Sequence, residues 1–290
     1  MDHKAALENF LKHLEDKGRS KSTMIAYKKD IEQLLDHYSS QVKTVKEFQT
    51  DHIQLYIEKL VEEKKFTLKT ISRKINSYKT FFKFLNKEQV LDSDIAHPIS
   101  HPTFKPKDPR ILSSLEYKAL RDTARNNTRL YSMIELLLQT GMRIGELSRL
   151  KIGDINLGTD PATIFIEEFS SNPARTIALN KQAKDALEDY LKTRPEPKND
   201  GGYVFTTKNG NQVLVRNMRT MINSAFKKSG IEDATVNDIR NTFIVYQLEN
   251  GMPLERVAEV VGHKRITSTE KYLNMLKEKK TPVTKKIIAL

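Results

Sequence analysis

The chain of 290 residues contains no cysteine. That absence excludes a disulfide framework, a thiolate-held zinc and a thiol nucleophile, and it suits an intracellular setting. Proline and glycine are nearly missing from the first third: residues 1–96 hold no proline and one glycine, Gly18. Little there interrupts a helix. Long apolar runs are missing as well. None approaches the ~20 residues that cross a bilayer, and Met1-Asp2-His3-Lys4 leads into an amphipathic pattern instead of a secretory signal. The expectation is a soluble, cytoplasmic protein with no membrane partner. Histidine is scarce too, and residues 141–290 hold one, His263, so no HxH or HxxxH pair stands among their acids. No metal site and no cofactor is expected, which makes a metal-dependent nuclease the weakest reading.

What is abundant is positive charge. The 49 Lys and Arg against 37 Asp and Glu give +12 and a pI near 9.5, which calls for a polyanionic partner. Nucleic acid comes first and an anionic membrane second. With 38% hydrophobic residues in regular periods the chain has enough apolar material for two cores, so disorder does not explain the charge.

Four of the ten prolines fall between His97 and Arg110, which reads as a linker between a domain at 1–96 and another at 111–290. Those fourteen residues, fully extended, reach at most about 50 Å, far enough to pass from one side of a DNA duplex to the other.

Before the linker the periodicity predicts four helices, over 3–17, 22–38, 45–64 and 68–87, with Ser20 or Ser22 capping the second. In the fourth, Ile71, Ile75, Tyr78, Phe82 and Leu85 form one apolar stripe. Residues 64–87 carry eight Lys and Arg and no acid. Like charges at i, i+4 repel by a few tenths of a kcal/mol per pair. Lys65, Lys69 and Arg73, then Lys79, Lys83 and Lys87, accept that repulsion, which points to a face laid against phosphates.

After the linker, Ser113 and Glu116 form a capping-box pattern that opens a helix to about Arg125. A helix over 128–140 ends at Gly141 and another begins at Arg143. Strands are expected at 163–166 and 176–179, with 203–205 as a candidate third, and helices return at 181–193, 215–229, 236–249, 253–261 and 266–276. The fold class is mainly α: an all-helical N-terminal domain, then a mostly α domain with a small antiparallel sheet. A lysine-rich tail covers about 277–290.

Four groups carry chemistry: Arg143 in Gly141-Met142-Arg143-Ile144-Gly145-Glu146-Leu147, Arg240 in Asp238-Ile239-Arg240-Asn241-Thr242, His263 after Gly262, and Tyr272 nine residues on. Arginine offers planar, permanently charged donors for two phosphate oxygens, and tyrosine an oxygen nucleophile able to hold a phosphoryl group. These elements, in this order, resemble the signature of the tyrosine recombinases, the lambda-integrase family. Ser22-Thr23, Tyr27 and Asp30 are similar to the helical, SAM-like core-binding domain that precedes the catalytic domain in Xer-type members.

The resemblance implies that Arg143 and Arg240 clamp a scissile phosphate, that Tyr272 attacks it to leave a 3′-phosphotyrosyl link, and that His263 hydrogen-bonds the phosphate or places the tyrosine. It also implies double-stranded DNA as partner, four protomers on two sites, and a C-terminal tail docking on a neighbouring protomer. Glu146 then supports an arginine, or else makes an ordinary surface ion pair. Integration and excision of a mobile element, resolution of transposon cointegrates and resolution of chromosome or plasmid dimers all use this chemistry; a chain of this length leaves no room for a further arm-binding domain, which slightly favours a simple resolution role.

Two positions depart from the family pattern. Asn237 stands where members carry a histidine, and asparagine cannot hold a proton at neutral pH. Members also place a lysine in the β-hairpin to protonate the departing 5′ oxygen; here Ser170 occupies that register, and no lysine occurs between Lys151 and Lys181. Arg175 is the hairpin's basic residue and could stabilise that oxygen without protonating it, with Lys208 a weaker substitute. The alternative these departures raise is a DNA-binding or architectural relative that has lost cleavage.

Overall fold

The computed structural model describes residues 1–105, 107–170, 172–196 and 201–279. The chain divides into two compact units, Met1–Pro106 and Lys107–Leu290. Among the described residues there are twelve α-helices and one three-stranded antiparallel sheet, a mainly α fold as expected. None of the helices is long and apolar enough to cross a membrane. The tail falls outside the described residues from 280 onward.

The first unit is built from α1 (His3–Asp16), α2 (Lys21–His37), α3 (Thr50–Glu62) and α4 (Leu68–Lys87). Ser20, not Ser22, caps α2, its hydroxyl accepting the Thr23 amide at 3.2 Å. The expected third helix is shorter than the sequence suggested. A 3-10 turn at Val45–Glu47 is cut off by extended Phe48, and the helix restarts where His52 Nδ1 accepts the Gln49 amide at 3.0 Å. Phe48 is drawn out of helical geometry into a core with Tyr38 and Phe82. All five stripe residues of α4 are buried.

The charged side of α4 is less uniform than the sequence implied. Asp30, itself buried on α2, takes hydrogen bonds from Arg73, from Lys74 Nζ at 3.1 Å and from Ser77 Oγ at 2.8 Å. Lys74 is 2% exposed. A buried carboxylate with two cations is a pinned helix–helix contact, because either charge alone in that core would be strongly destabilising. Lys65 pairs with Glu63, and Lys79 Nζ donates to the His97 carbonyl at 3.1 Å. Lys69, Lys83 and Lys87 remain exposed with no ion pair among the described residues.

The second unit contains α5 (Ser114–Ala124), α6 (Thr128–Thr140), α7 (Ile144–Arg149), β1 (Ile155–Asn156), β2 (Thr163–Ile166), β3 (Arg175–Ala178), α8 (Lys181–Thr193), α9 (Val215–Lys228), α10 (Val236–Glu249), α11 (Leu254–Val261) and α12 (Thr267–Lys279). The sheet runs in order β1-β2-β3, with Ile164 opposite Ile155 on one side and Ile177 on the other.

Residues 203–205 do not supply a strand. Val204 and Phe205 are buried, and the segment bonds residues 150–152 through a single bridge at Tyr203 instead of joining the sheet. Their apolar character comes from the core under α8, where Phe205 stacks on Tyr190. The third strand is β1, too short to carry a period of its own.

Gly141 ends α6 with φ +60°. A Cβ there would run into the ring of Phe243 on α10. Glycine is thus required twice, for the left-handed turn and for the close approach of α10 that brings Arg240 to the end of α6.

Candidate active site

Arg143 is the residue that caps α7, and its neighbourhood is organised by Glu146 one turn on. The Glu146 carboxylate accepts the Arg143 amide at 2.8 Å and Arg143 Nη1 at 3.1 Å. From β3, Arg175 reaches the same carboxylate with Nη1 at 3.0 Å and Nη2 at 2.8 Å. Glu146 is buried, so the surface ion pair weighed from the sequence is ruled out. Burial by itself would raise its pKa; the bonds from Arg175 and then Arg143 outweigh that and hold it below the usual carboxylate range.

Both arginines also grip the end of α11. Arg143 donates to the carbonyls of Val261 at 3.3 Å and Gly262 at 2.9 Å, and Arg175 Nε to that of Val260 at 2.7 Å. These carbonyls are unsatisfied within the helix and sit at its negative end, where cations bind well. Arg175 therefore has its donors engaged inside the fold, 9% exposed, and is not free to meet a departing oxygen as the sequence allowed. Lys208 sits in the turn bridged by Thr206 and Gln212, away from the cleft lining.

Arg240, on α10, is 6% exposed. Its Nη1 donates to the Gly141 carbonyl at 2.6 Å, while its buried Nη2 has no partner. Burial and then the charge of Arg143 push its pKa down to about 9. Both arginines and Asn237 line a cleft of about 580 Å³. Asn237 Nδ2 leans towards Asn241 Oδ1 at 3.4 Å.

His263 follows Gly262, and its Nδ1 lies 2.8 Å from Thr269 Oγ1. That contact leaves Nε2 for an external group. Burial, then the charges of Arg240 and Arg143, push the ring's pKa down to about 3, so it is neutral at physiological pH.

Tyr272 on α12 is 3% exposed, packed among Phe243, Val257 and Val261. Its hydroxyl donates to Asn241 Oδ1 at 2.7 Å, and Asn241 is held in turn by Nδ2 on Asp238 Oδ1 at 3.1 Å. Burial raises the phenol's pKa, which the charge of Arg240 partly opposes. Arg143, Arg240, His263 and Tyr272, spread over 130 residues of sequence, thus lie close enough for their charges to act on one another. The phenol points at Asn241 and does not line the cleft.

Sequence reasoning missed Asn241 and Thr269, the partners of the tyrosine and histidine. Asn241 directly follows Arg240 and lies one helical turn from Asn237, a spacing that could have flagged it. It also missed Arg149, Phe169 and Arg219, which share the cleft lining with Arg143.

Residues 110–279 match the Phage integrase family, and residues 7–89 match the phage integrase N-terminal SAM-like domain. The tyrosine recombinase XerD of Oceanobacillus iheyensis is 30% identical over 285 residues, covering 94% of each chain. A tyrosine recombinase of Pseudothermotoga lettingae is 26% identical over 287 residues, covering 97% of this chain and 98% of its own. Among solved structures, the XerA recombinase is 25% identical with a TM-score of 0.55, covering 97% of this chain and 99% of that one. A lambda integrase dimer bound to a COC' core site has a TM-score of 0.76 at 16% identity, covering 100% of this chain and 81% of that one, and it shows likeness of fold alone.

Fold, site and relatives together define the class as a site-specific recombinase of the tyrosine type. The chain belongs to the phage integrase family, with that family's SAM-like domain in front.

Proposed function

We propose that the protein cleaves and rejoins double-stranded DNA through Tyr272, with Arg143 and Arg240 holding the scissile phosphate. The observation that carries this is Arg240: a buried guanidinium with an unpartnered Nη2, on the wall of the cleft that Arg143 also lines. A buried cation short of a partner is destabilising unless something fills the place. A phosphate oxygen fills it, and burial with the charge of Arg143 lowers the pKa of Arg240, the direction expected where negative charge is lacking.

In the reaction the Tyr272 oxygen forms a bond to phosphorus as the bond to the 5′ oxygen breaks. Negative charge grows on the nonbridging oxygens, where the two guanidiniums are already set. His263, neutral, offers Nε2 as a hydrogen-bond donor to the same phosphate, with Thr269 fixing the ring. Asn237 serves as a donor without proton transfer. The phosphotyrosyl link conserves the phosphodiester energy, so rejoining to a new strand needs no nucleotide.

Tyr272 must first leave Asn241, which makes the described arrangement a resting one. Lys69, Lys83 and Lys87 contribute phosphate contacts from the first unit. Solved relatives of this fold include XerH bound to a palindromic difH substrate after cleavage, in keeping with DNA as partner. Four protomers on two sites, linked through the tails, complete the reading, for integration and excision or for resolution of cointegrates or dimers.

A nicked suicide substrate tests it. Wild type is expected to accumulate a covalent protein–DNA adduct and Tyr272→Phe to bind the same DNA without one. No adduct from wild type would instead favour the architectural reading.

A further inference from the structure

An alkoxide is a far stronger base than a phenolate, so a tyrosine cannot displace a 5′ oxygen efficiently unless positive charge or a proton meets that oxygen as it departs. Four arginines line the cleft: Arg143, Arg149, Arg219 and Arg240. Arg143 and Arg240 are tied to Glu146 and to backbone carbonyls and are already assigned above to the phosphate. Arg219 projects from the exposed face of α9.

Arg149 is different. It closes α7, six residues after Arg143, and its guanidinium carbon lies 3.7 Å from the centre of the Phe169 ring. No ion pair holds it among the described residues. Phe169 belongs to the segment between β2 and β3, where its backbone bridges Asn172. Phe169 is 50% exposed, unusually open for a large apolar residue. Stacked on one face, a guanidinium keeps all its N–H donors free in its plane while losing its freedom to swing away.

From this arrangement we infer that Arg149, held by Phe169, is the catalytic residue that stabilises the departing 5′ oxygen. The inference rests on the recombinase reading above. As the Tyr272 oxygen bonds to phosphorus, the electron pair of the breaking P–O bond moves to the 5′ oxygen. Arg149 donates N–H hydrogen bonds to that oxygen, and water in the open cleft supplies the proton that completes the 5′-hydroxyl. The phenolic proton passes to water, so the step is neutral overall. Arg149 stays charged throughout, since a guanidinium gives up its proton poorly. Burial, only partly offset by Glu146 and Glu167, lowers its pKa from the usual value, in the direction that sharpens its response to a developing anion. Phe169 acts as a positioning residue.

The test compares two suicide DNA substrates, one ordinary and one with sulfur replacing the bridging 5′ oxygen. A thiolate is a weak enough base to leave unaided. Arg149→Met, which keeps the stack but not the charge, should slow adduct formation about a hundredfold on the oxygen substrate, the scale of one lost charge-stabilising donor. It should match wild type on the sulfur substrate. Arg149→Lys should fall between. Phe169→Ala should show the same oxygen-specific loss in smaller measure, and Phe169→Tyr should restore it. DNA binding by gel shift confirms that each variant is folded. Equal effects on the two substrates, whether none or a shared loss, overturn the inference. If wild type forms no adduct on either substrate, the recombinase reading itself falls and takes the inference with it.

Discussion

Glu146 receives both terminal nitrogens of Arg175, at 3.0 and 2.8 Å, and through Arg143 it joins the first turn of α7 to the last carbonyls of α11. Arg143, the arginine we propose for the phosphate, is therefore held by a buried carboxylate. Glu146→Gln would leave Arg175 buried without its counter-charge, a class of change that costs roughly 3–5 kcal/mol. Urea unfolding at pH 7 checks the loss.

The same pair sets a pH signature. The folded pKa of Glu146 lies below its ordinary value, so its stabilisation is complete above the unfolded pKa of about 4.3 and disappears as pH falls through the folded value. The gap between wild type and Glu146→Gln should therefore be widest at neutral pH and narrow in acid. A gap that does not change with pH would refute the assignment.

Gly262 offers a second probe of the Glu146–Arg175 pair. It ends α11 at φ +67°, and a Cβ there would stand 2.7 Å from Arg175 Nη1 and 2.9 Å from its Cζ. Gly262→Ala adds the left-handed strain of about 1–2 kcal/mol to a clash with a side chain that Glu146 does not let move. Thermal unfolding should show a loss exceeding that of Gly251→Ala, where φ is +85° and the space is open. Equal losses would mean that Arg175 yields.

His263 makes a prediction of opposite origin. Its pKa falls to about 3 in the folded chain, against ~6.5 when unfolded. Below pH 6.5 the unfolded chain binds a proton that the folded chain does not, so this group lowers stability progressively from 6.5 towards 3. His263→Gln should flatten that part of the stability curve. In the cleavage rate of wild type, no limb near pH 6.5 should trace to His263; a rate that titrates there and stops doing so in His263→Gln would contradict a neutral ring.

How much of this was legible in the sequence depends on range. Helices with a strong apolar stripe and a local cap, such as α4, α5 and α8, follow from residues within one or two turns of each other. The break at Phe48 and the place of residues 203–205 depend on distant partners, so no local period could reveal them. Arg143, Arg240, His263 and Tyr272 could be picked out by order and residue type. What their neighbours do could not, because Arg175 pairs with Glu146 across 29 residues and Tyr272 with Asn241 across 31.

The basic run of α4 is where sequence and structure part most instructively. Six cations, Arg73 among them, read as one face, yet Arg73 and its neighbour Lys74 converge on Asp30 while Lys69, Lys83 and Lys87 are exposed with no ion pair among the described residues. Substitutions in the two groups should therefore separate stability from binding. Asp30→Ala strands two cations, one of them 2% exposed, and should destabilise the first unit by several kcal/mol. Lys69→Ala, Lys83→Ala and Lys87→Ala should leave the melting temperature within about a degree. Each that meets a phosphate should lower DNA affinity and reduce the slope of log K against log salt by about 0.9. Fluorescence anisotropy on duplex DNA at several salt concentrations, run beside thermal unfolding of the same variants, checks both. If the exposed lysine variants bind with an unchanged salt slope, α4 is a solvated surface and the DNA contacts lie elsewhere.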